Sequence, residues 1–372
     1  MSDRCTIGVI FGGRSGEHEV SLVSATSIMG ALPRDRFEVV PIGISKDGAW
    51  YAGNGVMEFL KRGKSDDAVY PAALSADNKG GVVALDGGRG GVKLDAVFPV
   101  LHGPYGEDGT VQGLLDLAGV PYVGCGVLAS AVAMDKVVSK EIFIARNIPT
   151  APYVWFHASE WRRDRDAVTR RIEEALTYPL FIKPANMGSS VGIFKVKDRD
   201  ELTAHVPESA RYDRKIVVEE AVADAREIEV AVLGNDRAEA SVPGEIFPSN
   251  EFYDYDAKYV DGKSKDAIPA DLSEETIRTI RRLAVEAFSA VDGAGLARVD
   301  FLVSRADGRV FLNELNTLPG FTSISMYPKL WQASGLPYPD LLSRLVDLAI
   351  ERHREKQELL TSYQPKIDWH KG

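Results

Sequence analysis

The sequence predicts a multidomain protein of mixed α/β and α+β class. Its 372 residues are more than one compact core usually holds, so two or three domains are expected. The first third alternates strand and helix patterns, which is typical of βαβ units with a parallel sheet. The last third contains a long amphipathic helix followed by a β-hairpin, which is typical of an α+β arrangement.

The first third opens with a short apolar run that ends in glycines. This run is too short for a signal-peptide core or a membrane span, and we interpret it as a buried first strand. Residues 51–91, rich in Gly, Ala and Asp, predict an irregular or hairpin insertion. The predicted elements are a strand at 6–11, a helix at 19–32, a strand at 37–44, a strand at 95–101 and a helix near 110–118.

The rest of the chain predicts further helices and strands in an order that suits two smaller α+β units. Ser273 is the predicted N-cap of the strongest helix, whose apolar residues recur at helical spacing. The elements before it are helices at 134–143 and 166–176 and strands at 180–183, 193–196, 216–220 and 227–232. After it come the hairpin at 297–316, a loop from Thr317 and a helix near 338–358.

The hairpin predicts a set of oxygen ligands on one face. Alternation along A-R-V-D-F-L-V-S places Arg298 and Asp300 together, opposite the apolar residues. After the Asp-Gly turn at 307–308, the return strand places Glu314 and Asn316 on one face. Two carboxylates and an amide oxygen beside a guanidinium suit Mg²⁺ that holds a phosphate chain. The alternative is an exposed hairpin with ordinary surface charges.

Composition narrows the class of partner. The formal net charge of −10 argues against nucleic acid or an anionic membrane as the main partner, although a cleft with lysines and a metal can still bind an anionic substrate. Cys5 and Cys125 are too few for a disulfide framework and agree with a reducing cytosol. No stretch is long and apolar enough to cross a bilayer. We therefore expect a cytoplasmic protein.

The loop K-P-A-N-M-G-S-S-V-G at 183–192 predicts a phosphate-binding turn. Gly188 and Gly192 permit tight backbone turns, so that consecutive N–H groups and the hydroxyls of Ser189 and Ser190 can wrap a triphosphate. Lys183 can add a point charge. The loop is not of the Walker type, because no G-K-[ST] follows it, and G-S-S-x-G also occurs in plain turns.

Seven motifs together resemble the D-alanine–D-alanine ligase family of ATP-grasp enzymes. Each one is modest evidence, but they occur in the family's order over nearly the whole chain. They are G-G-R-S-G-E-H-E-V-S-L-V-S-A at 12–25, L-H-G-P-Y-G-E-D-G-T-V-Q-G at 101–113, M-D-K at 134–136, K-P-A-N-M-G-S-S-V-G at 183–192, E-F-Y-D-Y-D-A-K-Y at 251–259, A-R-V-D at 297–300 and N-E-L-N-T-L-P-G-F-T-S-I-S-M at 313–326.

The resemblance implies a Rossmann-like βαβ substrate-binding domain at 1–124, a central ATP-grasp domain at 125–220 and a C-terminal ATP-grasp domain at 221–372. It implies ATP between the last two, with two Mg²⁺ ions for which Mn²⁺ can substitute. The matching metal ligands are Asp300, Glu314 and Asn316, and the matching phosphate-binding residues are Lys136, Lys183, Ser189 and Ser190. Adenine and ribose would contact Glu219, Glu220 and Glu227. The segment A-V-A-D-A-R-E is one residue longer than the family's spacing, so which of Glu219 and Glu220 meets adenine stays open.

The resemblance also implies the substrates, two molecules of D-alanine, and their binding residues. Glu17 matches the residue that holds the first ammonium, with His102 close by, although His102 alone is equally a core histidine. The oxyanion donors match Arg298 and the Gly320 N–H, and the second subsite matches Lys258, Ser325 and Met326. Tyr259 matches the tyrosine that joins the Glu17–Ser189 pair. The family further implies a homodimer, and residues 247–265 are predicted to be a lid over the site.

The implied reaction is the ATP-dependent joining of two D-alanines through an acyl phosphate for peptidoglycan synthesis. One alternative is a relative that joins D-alanine to D-lactate or D-serine, but Tyr259 favours an amine acceptor. The other is an inactive nucleotide-binding module. The full set of charged residues that the family's activity requires is present, which argues against this alternative, since decayed enzymes commonly lose one of them.

Overall fold

The computed structural model describes residues 4–63, 68–76, 80–86, 91–247, 265–322, 324–360 and 362. Within these ranges the protein is mixed α/β, with its strands in sheets of seven, four and six strands. The strands of each sheet come from one continuous part of the chain. The predicted lid lies almost wholly in 248–264, outside the described residues.

The first sheet is parallel at its centre. Strand β1 pairs in parallel with β2 and β7, and helix α1 connects β1 to β2, as the alternating pattern predicted. At the end of β1 the chain turns at Gly12, where φ is +93° and a Cβ atom would lie 2.1 Å from the Ile44 carbonyl oxygen, so only glycine fits. The elements are β1 Cys5–Gly12, α1 His18–Ala31, β2 Phe37–Ile44, β3 Trp50–Ala52, α2 Val56–Arg62, β4 Tyr70–Ser75, β5 Gly81–Ala84, β6 Val92–Lys93, β7 Ala96–Val100 and α3 Thr110–Leu117.

The second sheet is antiparallel, in the order β10-β9-β11-β8, and encloses an apolar core of its own with the helices that cover it. Its strands are β8 Tyr153–His157, β9 Leu180–Pro184, β10 Phe194–Val196 and β11 Lys215–Glu220. The helices of this part of the chain are α4 Val127–Met134, α5 Lys136–Ala145, α6 Ala158–Arg163, α7 Arg165–Ala175 and α8 Arg199–Ser209.

The third sheet contains the predicted hairpin as its last two strands. Its order is β15-β14-β12-β16-β17, and β13 also pairs with β12. The strands are β12 Ala225–Gly234, β13 Glu239–Ala240, β14 Gly244–Phe247, β15 Lys265–Ala267, β16 Gly295–Ser304 and β17 Val310–Asn316. The helices are α9 Glu274–Ala290, α10 Met326–Ala333 and α11 Tyr338–Gln357, and the Ser273 hydroxyl caps α9 by accepting from Thr276 N–H.

The first and third sheets share one apolar core, to which α11 contributes heavily. This core joins residues of β1, β7 and α1 to residues of β12, α10 and α11. Polar contacts reinforce it, because Arg352 of α11 donates to the backbone oxygens of Tyr122 and Gly124. The first third of the chain is therefore packed against its last third.

The structure differs from the sequence prediction in several helices. The helix predicted at 134–143 is interrupted at Asp135, whose carboxylate caps α5 by accepting from Val137 N–H at 3.0 Å and from Val138 N–H. Its first residue, Met134, belongs to α4. Helices α4, α6, α8 and α10 were not predicted, and the insertion at 51–91 contains α2 as well as the β4–β5 hairpin. The missed helices are short or largely polar, and short helices leave little periodic signal.

Over the described part of the chain, every helix falls short of the length or apolar character that a membrane span requires.

Candidate active site

A cavity of about 580 Å³ opens where the first and third sheets meet the loop after β9. Its wall includes residues from α1, α5, β12, β16, β17 and the N-terminus of α10. The predicted site residues that line it are Glu17, His102, Lys136, Ser189, Arg298, Glu314, Asn316, Gly320, Ser325 and Met326. Lys258 and Tyr259 lie outside the described residues, so their predicted roles stay predictions.

An acidic row, defined as Glu229, Asp300, Glu314 and Asn316, runs along one wall of the cavity, and Glu229, Glu314 and Asn316 are in the lining. In the register of the third sheet, Asp300 on β16 lies opposite Glu229 on β12 and opposite Glu314 on β17. Cross-strand partners have Cβ atoms about 5 Å apart, so three carboxylates lie side by side. A register shift between Asp300 and Phe301 marks a bulge at this point. Sequence alternation predicted Asp300, Glu314 and Asn316, but Glu229 was missed because it comes from another strand.

Arg298 is the positive partner of two carboxylates in the row. Its guanidinium donates to both oxygens of Asp300, at 2.7 and 2.6 Å, and Nε lies 3.2 Å from Glu229 Oε2. Burial lowers the pKa of Arg298, but Asp300 and Glu229 more than offset this, and the pKa lies well above its ordinary value. The guanidinium is therefore a permanent, oriented charge at the cavity wall.

The other members of the row contact the backbone and a lysine. Asn316 Oδ1 accepts from Leu318 N–H at 2.9 Å, and a Glu314 oxygen lies 3.7 Å from Lys136 Nζ. Among the described residues there is no group of three or more His, Cys, Asp or Glu side chains that could hold a metal ion. The predicted ligand set is of another kind, with two carboxylates and one amide oxygen.

A lysine cluster, defined as Lys136, Lys140, Lys183 and Glu219, adjoins the acidic row, and Lys136 is its member in the cavity lining. Lys183 Nζ donates to Glu219 at 2.6 Å and to Asn313 Oδ1 at 3.4 Å, and Lys136 Nζ donates to the Met187 carbonyl at 2.8 Å. Lys140 Nζ lies 3.2 Å from the other Glu219 oxygen. Burial raises the pKa of Glu219, but Lys140 and Lys183 outweigh it and lower the pKa to about 2.

The three glutamates predicted near adenine and ribose lie apart from the cavity lining. The Glu219 side chain is committed to the two lysines, and the Glu220 carboxylate accepts from Thr177 N–H at 3.0 Å. The Glu220 N–H donates to the Pro152 carbonyl oxygen. Glu227 lies two residues before Glu229 on β12 and so shares its face of the strand. Lys183, Ser190 and Asp300 are also outside the lining. Ser190 follows Ser189 in the chain, Asp300 accepts from Arg298, and Lys183 donates to Asn313, the residue before Glu314.

The loop after β9 places Ser189 against Glu17. Both Ser189 and Ser190 have positive φ values, +52° and +57°, a left-handed conformation that turns the backbone sharply. The Ser189 hydroxyl donates a short hydrogen bond to the Glu17 carboxylate. On its other side Glu17 meets Gly103, where φ is +73° and a Cβ atom would lie 2.6 Å from Glu17 Oε2. The carboxylate is thus enclosed between two loops.

His102 is buried in a polar pocket next to Glu17. Its Nε2 lies 3.2 Å from Ser24 Oγ, and its Nδ1 lies 3.2 Å from the Leu318 carbonyl oxygen and 3.6 Å from Glu107. Burial lowers the pKa of His102, but Glu107 raises it by more, so the net shift is upward. Burial and the nearby Glu17 charge raise the pKa of Glu107. Sequence reasoning missed Glu107, although it lies in the same motif as His102.

The far end of the cavity is formed by the turn before α10. Ser325 is the N-cap of α10, and its Oγ accepts from Thr322 N–H at 3.0 Å. A Cβ atom on Gly320 would lie 2.9 Å from Ser325 Oγ, so a side chain at position 320 would crowd the turn. The first residue of the helix, Met326, is buried. A helix N-terminus at this place favours a negatively charged ligand group.

Comparison with known proteins decides the family. The family model described as D-ala D-ala ligase N-terminus matches residues 6–125, and the one described as D-ala D-ala ligase C-terminus matches residues 142–347. The chain belongs to the D-alanine–D-alanine ligase family. The family predicted from the seven motifs is thereby confirmed.

Full-length relatives in this family are similar over nearly the whole chain. The D-alanine–D-alanine ligase of Heliobacterium modesticaldum is 52% identical over 363 residues, covering 97% of this chain and 99% of that protein. The one from Acetivibrio thermocellus is 50% identical, covering 95% and 98%. Among solved structures, the D-alanine–D-alanine ligase from Coxiella burnetii has a TM-score of 0.83 at 37% identity and covers 96% and 97%. The VanG D-Ala:D-Ser ligase from Enterococcus faecalis also has a TM-score of 0.83, at 38% identity, and covers 93% and 100%.

Proposed function

We propose that this protein joins two D-alanine molecules to D-alanyl-D-alanine, with ATP converted to ADP and phosphate, for peptidoglycan precursor synthesis. The observation that carries the proposal is the meeting of opposite charges at one cavity: the acidic row with Arg298 lies directly beside the lysine cluster, through Lys136 and Glu314 at 3.7 Å. Such a cleft suits a nucleotide's phosphates on the lysine side and a cation on the acidic side. Membership of the family, with relatives named D-alanine–D-alanine ligase, supports the same reaction.

ATP is expected between the second and third sheets. Lys136 and Lys183 would contact its phosphates together with Ser189 and Ser190, backbone groups near Glu219 and Glu220 would meet adenine, and Glu227 would accept from the ribose. The adjacent carboxylates of Asp300 and Glu314, with the Asn316 amide oxygen, fit Mg²⁺, because hard oxygen ligands of this number suit that ion. Two Mg²⁺ ions are proposed, with Mn²⁺ as a substitute. When bound, the metal supplies positive charge to the transferring phosphoryl group.

The first step activates a carboxylate. Glu17 holds the ammonium of the first D-alanine, with His102 beside it. A carboxylate oxygen of this D-alanine then attacks the γ-phosphorus of ATP. A carboxylate–phosphorus bond forms, the bond to the departing ADP oxygen breaks, and an acyl phosphate results. Lys136 and Lys183 are the ammonium groups placed to neutralise charge on the transferring phosphoryl group, which is the main contribution a protein makes to this chemistry.

The second step forms the peptide bond. The amine of the second D-alanine attacks the acyl carbon, Arg298 and the Gly320 N–H stabilise the oxyanion, and phosphate leaves. The carboxylate of the second D-alanine is held at the α10 N-terminus by Ser325, Met326 and the predicted Lys258. The amine loses its proton along a route formed by Glu17, Ser189 and the predicted Tyr259.

We further propose the domain division at 1–124, 125–220 and 221–372, since each range holds the strands of one sheet. The parallel β1–α1–β2 unit supports a Rossmann-like N-terminal domain. A homodimer and a cytoplasmic location are proposed from the family and from the substrate, ATP.

The function is tested by phosphate release from ATP and Mg²⁺ with D-alanine, beside parallel reactions with L-alanine, D-lactate plus D-alanine and D-serine plus D-alanine. We expect release in every reaction that contains D-alanine and none with L-alanine, and D-alanyl-D-alanine as the main product by mass spectrometry. Mixed products that dominate over D-alanyl-D-alanine would replace the acceptor assignment, which matters because the VanG D-Ala:D-Ser ligase is a structural neighbour. Absence of release with every amino acid would refute the enzyme itself.

A further inference from the structure

Lys183 belongs to a triad of charged side chains with Lys140 and Glu219, and the other two members are buried. Lys140 and Glu219 are 1% and 3% exposed, so both lie away from solvent and from the cavity lining. The two oxygens of Glu219 are divided between the two lysines, with Oε2 at 2.6 Å from Lys183 Nζ and Oε1 at 3.2 Å from Lys140 Nζ. Lys140 lies on α5, Lys183 on β9 and Glu219 on β11.

With all three side chains ionised, the triad carries one net positive charge; burial lowers the pKa of Lys140, and the Glu219 carboxylate 3.2 Å away opposes that shift. Ionised groups are rarely buried unless they are paired, because removal from water costs more than any single contact returns. Here two ammonium groups share one carboxylate. Lys183 is the member nearest the acidic row, since its Nζ also donates to Asn313 Oδ1, the residue before Glu314. The surplus charge is therefore presented at the edge where phosphates are expected.

We propose that Lys140 is a positioning residue for nucleotide binding, which acts by neutralising Glu219 so that Lys183 remains electrostatically available to the phosphates. Without Lys140, the whole charge of Glu219 would fall on Lys183, and the pair would present no net charge to the cleft. Coulomb interactions in a poorly solvated site are strong enough for one such charge to alter the affinity for a phosphate chain severalfold to a hundredfold. Lys140 itself does not touch the ligand. The inference rests on the proposed function for the identity of the nucleotide.

The alternative role for Lys140 is structural, as a filler that ties α5 to β11. The two roles differ in what a second substitution does. If charge is what matters, nucleotide affinity follows the net charge of the triad, and removal of the Glu219 charge restores what removal of the Lys140 charge took away. If packing matters, the double variant is at least as impaired as the single one.

The experiment compares Lys140→Met, Lys140→Arg, Glu219→Gln and the double variant Lys140→Met/Glu219→Gln in the full-length protein. ADP affinity is measured by calorimetry with Mg²⁺ present, and KM for ATP and for D-alanine by phosphate release. We expect Lys140→Met to weaken ADP binding and raise KM for ATP on the order of tenfold, with KM for D-alanine unchanged. Lys140→Arg keeps the charge and should stay close to wild type, and the double variant should recover most of the loss.

Wild-type ADP affinity in Lys140→Met, or a double variant that binds ADP no better than Lys140→Met, would overturn the proposal. Should Lys140→Met fail to fold, Glu219→Gln decides, because it raises the net charge of the triad and must bind ADP at least as tightly as wild type. Weaker ADP binding by that variant would also overturn it. These outcomes are separate from failure of the proposed function, which would appear as wild-type protein that binds ADP yet releases no phosphate with D-alanine.

Discussion

The acidic row and the lysine cluster meet at one cleft but have opposite electrostatic composition. The row places Glu229, Asp300 and Glu314 on adjacent strands, with Arg298 as the counter-charge. The cluster places Lys140 and Lys183 on either oxygen of Glu219, while Lys136 lies beside Glu314. Each side therefore contains one residue of the opposite sign, Arg298 in one case and Glu219 in the other. The pKa of Arg298 is raised and that of Glu219 is lowered, so both shifts favour the ionised form.

This difference teaches how one protein can bind a polyanion and a cation side by side. Strands lie too close together to carry three carboxylates unless a cation stands among them. Lysines on a helix and on neighbouring strands likewise need an anion between them. In both places the protein supplies one counter-charge, which neutralises only part of the charge. The remaining negative charge of the row and the remaining positive charge of the cluster can attract a ligand. The row and the cluster meet at Lys136 and Glu314, which lie 3.7 Å apart.

The sharpest way to break this comparison is to remove the counter-charge of the acidic row. Arg298→Ala should lower kcat by about 10²–10³-fold, because it deletes the proposed oxyanion donor. It also leaves Glu229 and Asp300 without their shared guanidinium, which destabilises the folded state. Steady-state phosphate release gives kcat, and thermal unfolding separates the loss of catalysis from the loss of structure.

Arg298→Lys is the matched control, since it keeps the charge but loses the two-pronged contact with Asp300. Its kcat should fall between those of wild type and Arg298→Ala. A folded Arg298→Ala protein with kcat within about tenfold of wild type would remove Arg298 from the oxyanion site, because one lost donor costs more than that.

On the lysine side, the counter-charge is best examined by pH. The pKa of Glu219 is lowered to about 2 from an ordinary 4.5, so its ionisation stabilises the fold above about pH 4.5 and this contribution disappears as the pH falls towards 2. Wild type should lose up to about 3 kcal/mol of unfolding free energy over that interval, and Glu219→Gln should lose correspondingly less. Urea unfolding at a series of pH values measures both.

Glu286→Gln, at an exposed position on α9, is the control and should reproduce the wild-type pH dependence. Parallel curves for wild type and Glu219→Gln over the acid range would mean that Glu219 has no part in acid stability.

The sequence was a good guide to those residues that share a local repeat. Alternation along β16 and β17 predicted that Arg298, Asp300, Glu314 and Asn316 lie on one face, and the register agrees. Glu229 and Lys140 were not predicted. Glu229 joins the row only through the pairing of β12 with β16, some 70 residues apart in the chain, which no local pattern encodes. Lys140 could have been suspected, since it lies one helical turn after Lys136.

The fold shows the same division. The central strands β1, β2 and β7 of the first sheet and the N-cap of α9 were predicted because buried strands and capped amphipathic helices leave strong signals. Helix α10 was missed because it has eight residues and follows a loop that reads as irregular. It nevertheless positions Ser325 and Met326 at the cavity. The side-chain contacts of Glu219 were also beyond prediction, because they depend on three elements that meet only in the folded protein.

The metal side of the comparison is sharpened by Glu314→Gln. The amide keeps the shape of the side chain but removes one anionic ligand, so the Mg²⁺ concentration for half-maximal activity should rise about 10–100-fold, as loss of groups around a metal usually causes. The measurement is a Mg²⁺ titration of phosphate release at saturating ATP and D-alanine. Glu239→Gln, at an exposed position on β13, is the control. An unchanged Mg²⁺ requirement would take Glu314 out of the ligand set.

The smallest effect is expected from Glu229→Gln, which tests whether Arg298 has a second holder. In the structure the guanidinium is shared between Asp300 and Glu229, with Nε 3.2 Å from the Glu229 oxygen. If Asp300 holds a metal as proposed, Glu229 is the carboxylate left to orient Arg298. Loss of one ion-pair contact to the guanidinium corresponds to roughly tenfold or less, so kcat should fall by that amount while KM for ATP stays near wild type.

The Glu229→Ala variant extends the test, because it removes the side chain that Glu229→Gln only neutralises. Its kcat should lie below that of Glu229→Gln but above that of Arg298→Ala, since Asp300 still contacts the guanidinium. A loss in Glu229→Gln as large as in Arg298→Ala would mean that Glu229, rather than Asp300, sets the position of Arg298. No loss in either Glu229 variant would mean that Asp300 alone is sufficient, and the acidic row would then act as a pair of carboxylates and not as three.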